Sequence, residues 1–149
     1  MKLVETGFDL NIESILEDWE VYHGLREVIA NAIDEYILSD SEDVKIFRDK
    51  DGRYHIRDFG RGLKYEHLTQ NEDEEKINHE HTIGKFGIGL KDALATFHRK
   101  GIKFSIKSQF GDIRTGLSPK SGFDDIYTLH AYIHTLCASL RVYIHKLLG

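Results

Sequence analysis

From Leu25 to Tyr36 the chain reads Leu-Arg-Glu-Val-Ile-Ala-Asn-Ala-Ile-Asp-Glu-Tyr, with no Pro or Gly and with apolar residues at the spacing of one helix face. At about 100° per residue, Val28, Ile29, Ala32, Ile33, Tyr36 and Ile37 cover one side, while Glu27, Asn31 and Asp34 fall in a stripe roughly 60° wide on the other. A helix over about 25–38 is predicted, with one face for the core. The period then changes. Val44 to Arg48 and Tyr54 to Asp58 alternate as strands around Asp49-Lys50-Asp51-Gly52, a strong turn signal, and together read as a hairpin. A second helix is predicted from about Gly87 to His98, ending near Gly101, followed by strands over Ile102 to Ser108 and Asp112 to Leu117. A short amino-terminal element and a helix near Ile12 to Trp19 precede all of these.

Beyond Ser118 the pattern is less regular. Phe123 to Thr128 reads as the start of a strand, and Leu129, Ile133, Leu136, Leu140, Tyr143 and Leu147 then recur at steps of three and four, which predicts an amphipathic helix. Its apolar stripe is expected to pack on the same domain or on a partner, including a second copy of the chain. The succession of elements predicts an α+β fold, a two-layer α/β sandwich with a mixed or antiparallel sheet and helices on one face. Residues 1–117 form its main body and 118–149 an extension.

Composition narrows the class. With 149 residues, 40% hydrophobic and 11% aromatic, the chain can bury one sizeable core. A net charge of -5 argues against direct nucleic-acid binding, which normally needs a basic face. His130, His134, Arg141, His145 and Lys146 interrupt the last apolar segment, so no membrane span is expected. The lone Cys137 cannot build a disulfide framework and no amino-terminal apolar run resembles a signal peptide, so the expected location is intracellular, cytoplasmic or nuclear.

Candidate chemistry centres on Thr82-Ile83-Gly84-Lys85-Phe86-Gly87-Ile88-Gly89-Leu90-Lys91, a glycine-rich turn running into a helix. Gly84, Gly87 and Gly89 allow close backbone approach to a ligand, and the first N–H groups of the helix present the positive end of its dipole, which suits polyphosphate. Lys85 and Lys91 are the nearest cations. The pattern is neither a P-loop nor a dinucleotide fingerprint, and by itself also fits an ordinary loop before a helix. On the first helix, Glu27 lies one turn from Asn31. A carboxylate there can take a proton from water, and an amide oxygen is a hard, neutral ligand for Mg²⁺. Asp58, at the end of the hairpin, can accept from an exocyclic amine, and Gly60 and Gly62 leave room for a flat ring. Asp58 also suits the start of a turn.

In order and spacing, Glu27-x-x-x-Asn31-x-x-Asp34, Asp58-x-Gly60-x-Gly62 and Gly84-x-x-Gly87-x-Gly89 resemble the N-box and two glycine boxes of the GHKL ATPases. That superfamily includes gyrase, the heat-shock chaperone ATPase, sensor histidine kinases, MutL and the MORC proteins. The likeness covers roughly residues 8 to 117 and is closest in motif style to the chaperone and MORC-type members. The resemblance implies a Bergerat-type layout with ATP and Mg²⁺ as cofactors. Glu27 would orient or deprotonate the attacking water, Asn31 would hold Mg²⁺, and Asp34 would support the helix. Asp58 would bind the adenine amino group, Gly60 and Gly62 would line the base pocket, and Gly84, Gly87 and Gly89 would wrap the phosphates.

The polar segment Lys64 to Thr82 resembles the family's lid, expected to close over bound triphosphate. In gyrase-like, chaperone and MutL-like relatives a second domain supplies a cation to the γ-phosphate, and no such domain is included in 149 residues. Slow hydrolysis is therefore the expectation, because charge on the transferred phosphoryl is less well stabilised. The contrasting expectation is a non-catalytic interaction module with a vestigial pocket; the presence of Glu27 argues against it. His134 with Cys137, and His79 with His81, have spacings that suit a metal such as Zn²⁺, but neither pair completes a four-ligand set.

Overall fold

The computed structural model describes residues 5–10, 18–64, 68, 80–83, 89–123, 125–134 and 141–146. They form, in chain order, β1 (Glu5–Asp9), α1 (Val21–Ser39), β2 (Lys45–Arg48), β3 (Tyr54–Arg57), α2 (Gly89–Arg99), β4 (Ile102–Ser108), β5 (Gly111–Pro119), β6 (Tyr127–His134) and β7 (Arg141–Lys146). The strands join in one sheet, ordered β1-β6-β5-β4-β7-β3-β2, with every neighbouring pair antiparallel. The fold is the two-layer α/β sandwich that the order of elements implies, with the antiparallel form of the sheet.

Alternation on β4 sets the core. Ile102, Phe104 and Ile106 are buried, whereas Lys103 is exposed between them. Those residues join Ile56, Ile113, Leu129 and Ala131 from neighbouring strands and Val28, Ala32, Ala93, Leu94 and Phe97 from the helices in one cluster. Both helices thus lie on the same face of the sheet. Burying each large apolar side chain contributes about 1.5–3 kcal/mol relative to exposure. Phe97 stacks on Phe104 with ring centroids 5.1 Å apart, which seats α2 on β4.

The start of α1 meets the end of α2. Lys100 Nζ donates to both carboxylate oxygens of Glu20, at 2.8 and 2.7 Å, and the Arg99 guanidinium donates to the Trp19 carbonyl. α1 begins a turn earlier than the run from Leu25 predicts. There the Glu20 amide donates to His23 Nδ1 at 2.9 Å, a cap that apolar periodicity cannot show. The β2–β3 hairpin forms as expected, with Ile46 opposite Ile56. Asp49 organises its turn: Oδ1 accepts from the Asp51 and Arg53 amides, both at 2.9 Å, and Oδ2 lies 2.8 Å from His55 Nε2.

The helix expected over 129–147 is corrected by the structure: β6 and β7 occupy described parts of that range. β6 pairs with β1 and β5, and β7 lies between β4 and β3. A step of four, as from Leu129 to Ile133, keeps a residue on one face of a helix and equally of a strand. Thr128, Tyr132, Ile133, Val142, Tyr143 and Ile144 also favour the extended chain. Ser118 and Pro119 continue β5, so the sheet runs through position 117. Of the helix expected near Ile12 to Trp19, residues 11–17 lie outside the described ones, and Asp18 to Glu20 are not helical. Among the described residues, no helix is long and apolar enough to cross a membrane.

Candidate functional site

The polar stripe of α1 faces two other segments of the chain, the loop after β3 and the start of α2. Glu27 leads it. Its Oε1 accepts from Arg26 Nε at 3.1 Å and Nη2 at 2.8 Å, and its side chain is only 20% exposed. The same carboxylate lies directly against Gly89, where any Cβ would collide with Oε2. A side chain there would displace the Glu27 carboxylate, and the contact joins the first motif to the third. One turn on, Asn31 Nδ2 donates to the Glu27 carbonyl at 2.8 Å, which fixes the plane of the amide and sets its oxygen on the opposite side from that bond.

Asp34 is fully buried. Its Oδ1 accepts from the Ile83 amide at 2.6 Å, a hydrogen bond spanning 49 residues. This link joins α1 to the backbone at Ile83. Thr82 beside it is buried, whereas the Ile83 side chain is 60% exposed.

Asp58 follows β3 and is buried, with Oδ1 accepting from the Gly60 amide at 3.1 Å. Burial pushes its carboxyl above the ordinary carboxylate range. The Gly60 amide pulls the other way, and the nearby charge of Glu35 adds to the rise. Asp58 thus both opens a turn and presents a carboxylate in a poorly solvated place. Gly62 has φ of 84°, a left-handed conformation suited to glycine. The loop then fastens to β4: Ser108 Oγ donates to the Leu63 carbonyl at 2.7 Å, and the Gln109 amide nitrogen donates to the Arg61 carbonyl.

Three contributors escaped the sequence reading. Glu35 accepts from the Arg61 amide at 2.5 Å and from its Nε and Nη2 at 3.1 Å each, and presses on Gly60 so closely that a Cβ would overlap it. This ties α1 to the Asp58 loop across 26 residues. The available signal was spacing: Glu27, Asn31 and Glu35 recur every four residues. The third is Asp92, in the first turn of α2. Burial raises its carboxyl, Lys91 opposes the shift, and the Glu27 charge adds to it. Glu27 and Asp92 therefore concentrate negative charge beside the α2 N-terminus.

The structure sets Glu27 against Gly89, Asp34 against the Ile83 amide and Glu35 against Gly60 in the loop that carries Asp58 and Gly62. Gly84, Lys85 and Gly87 lie outside the described residues, as does most of the expected lid, 69–79. Of the metal candidates, His79 and Cys137 lie outside as well, and His134 ends β6, with Nε2 3.1 Å from Glu5 Oε2. Among the described residues no group of three or more His, Cys, Asp or Glu could hold a metal ion.

No protein-family model matches the chain, and no solved structure does. It is similar to a protein of Mycoplasma pneumoniae described as uncharacterized, at 48% identity over 120 residues. The match covers 78% of this chain and 49% of that protein, so the chain spans about half the length of the relative.

Proposed function

We propose that this chain is a GHKL-type ATP-binding domain that takes Mg²⁺-ATP between the polar stripe of α1, the Asp58 loop and the start of α2, and hydrolyses it slowly. The observation that carries this reading is the junction of segments far apart in sequence: the Glu27 carboxylate on Gly89, Glu35 on Gly60 and Arg61, and Asp34 on the Ile83 amide. Ordinary surface polarity does not need such contacts. In this reading Asp58 accepts from the adenine amine, and the N–H groups at the α2 N-terminus meet phosphate oxygens. Glu27 and Asp92 would repel a bare triphosphate, so a divalent cation on the Asn31 oxygen is needed to bring the charges together. Such a cation would also polarise the phosphoryl oxygens it touches. Glu27 then receives the proton of the attacking water. The single Cys137 suits a reducing compartment, cytoplasm or nucleus.

The reading is tested by following backbone amide resonances during addition of Mg²⁺-ATP. Shifts are expected at residues 27–35, 58–62 and 89–92, with the β5–β6 turn around Gly122 unmoved. Shifts confined to that turn, or none, would count against the assignment. A second reading, a protein-interaction module, draws on the exposed Leu117, Phe123, Ile126 and Tyr127 near that turn. It gains ground only if nucleotide leaves all three segments undisturbed.

A further inference from the structure

β2 is an edge of the sheet: among the described residues it pairs with β3 on one side and with no strand on the other. Alternate amides and carbonyls of such a strand point outward and can pair with a further strand. All four of its side chains are exposed, and two of them are large and apolar, Ile46 at 55% and Phe47 at 44%. Lys45 and Arg48 make its two ends basic. The carboxylates of the adjoining turn are already engaged, Asp49 with His55 and two backbone amides, and Asp51 with Arg53. The cations instead lie over aromatic rings: Lys45 and Arg57 at 4.9 and 4.4 Å from the centre of Phe59, and Arg48 at 5.5 Å from that of Tyr54. Lys45 also reaches Glu42 at 3.8 Å, but both side chains are well exposed and water screens the pair. A ring face compensates a cation only in part, so this edge stays positive on a chain whose net charge is -5.

We infer that β2 takes up an antiparallel strand from a partner protein, with the side-chain order acidic, apolar, apolar, acidic. Opposite Lys45-Ile46-Phe47-Arg48 that order sets a carboxylate across from each cation, one on each face of the sheet, and apolar side chains across from Ile46 and Phe47. Backbone hydrogen bonds supply affinity and the side-chain order supplies the choice of partner. A second copy of the chain fits less well, because β2 against β2 in full antiparallel register sets Lys45 opposite Arg48, like against like. A nucleic-acid strand would meet the same cations, but it has no row of amides and carbonyls to match the edge. The inference does not depend on nucleotide binding.

The test adds to the full chain a peptide holding Glu-Val-Ile-Glu between Thr residues, or its Lys-Val-Ile-Lys counterpart. With the Glu peptide in excess, the outward β2 amides should exchange with solvent about tenfold more slowly while the β4 amides are unchanged, and the Lys peptide should alter neither. Carrying Lys45→Glu and Arg48→Glu together should reverse the preference, so that only the Lys peptide protects β2. Should that double variant fail to fold, the parent is titrated with the Glu peptide at rising salt, where affinity is expected to fall severalfold. No protection by the Glu peptide, equal protection by both peptides, or an affinity indifferent to salt overturns the inference. Protection of β2 that grows with the chain's own concentration, without peptide, would make the occupant a second copy. Tighter binding of a single-stranded oligonucleotide than of the Glu peptide would make it nucleic acid, and either result also overturns the inference.

Discussion

Asp58 shows at the scale of one residue how function and stability pull apart. Its raised carboxyl means that ionisation destabilises the empty fold: the favourable contribution is complete below the ordinary value of 3.8 and is lost as pH rises through the raised one. Asp58→Asn is expected to unfold at higher urea than the parent at pH 7, with the gap closing in acid, and to weaken ATP binding by about 1–3 kcal/mol. Unchanged ATP affinity in folded variant would remove Asp58 from the site. Glu27→Ala should keep Mg²⁺-ATP binding and lose turnover, whereas Asn31→Ala should weaken the metal-dependent part of binding; parent-like hydrolysis by both would assign the activity elsewhere. Asp49 is the opposite electrostatic case. The hydrogen bond from His55 holds it down to about 2, so its contribution is present above 3.8 and is lost as pH falls towards 2. His55→Phe should raise its titration, followed by carboxyl NMR, with the Asp51 and Arg53 amides still favouring the ionised form. Glu27, Asn31, Asp34 and Asp58 were legible in the sequence because each residue type carries its chemistry at a fixed spacing from the next. Glu35 and Arg61 were not, since only the folded chain brings them together.

Among the elements, those whose period matches their burial were read with nearly their observed ends. β4 and the body of α1 are of this kind, whereas β2, exposed at all four positions, and β3 were found from the turn residues between them. α2 depends on Phe97, which has no exposed surface and stacks on Phe104. Phe97→Ala should cost about 3–5 kcal/mol in urea unfolding, by lost transfer energy and the cavity left behind. A loss below about 1 kcal/mol would mean that α2 is not seated on β4 as described. β6 and β7 were misread as a helix. The apolar step of four from Leu129 to Ile133 in β6 satisfies both periods, and what decides for strand is a partner on each side: β1 and β5 for β6, β4 and β3 for β7.

In the whole molecule, the placement of β7 is the feature furthest from the sequence. The last described strand enters between β4 and β3, and thereby joins the β2–β3 hairpin, with the Asp58 loop at its end, to the sheet on which α2 rests. No local pattern encodes such an insertion, because it rests on pairings made late in the chain with strands laid down early. It explains why the proposed nucleotide site depends on residues beyond 117 that carry none of its motifs. The most direct measurement of that site is calorimetric titration of the folded chain with ATP and ADP, each with and without Mg²⁺. Saturable, one-to-one binding of ATP that tightens with Mg²⁺ and weakens in Asp58→Asn is expected, whereas no binding of either nucleotide under any of these conditions would contradict the proposed function.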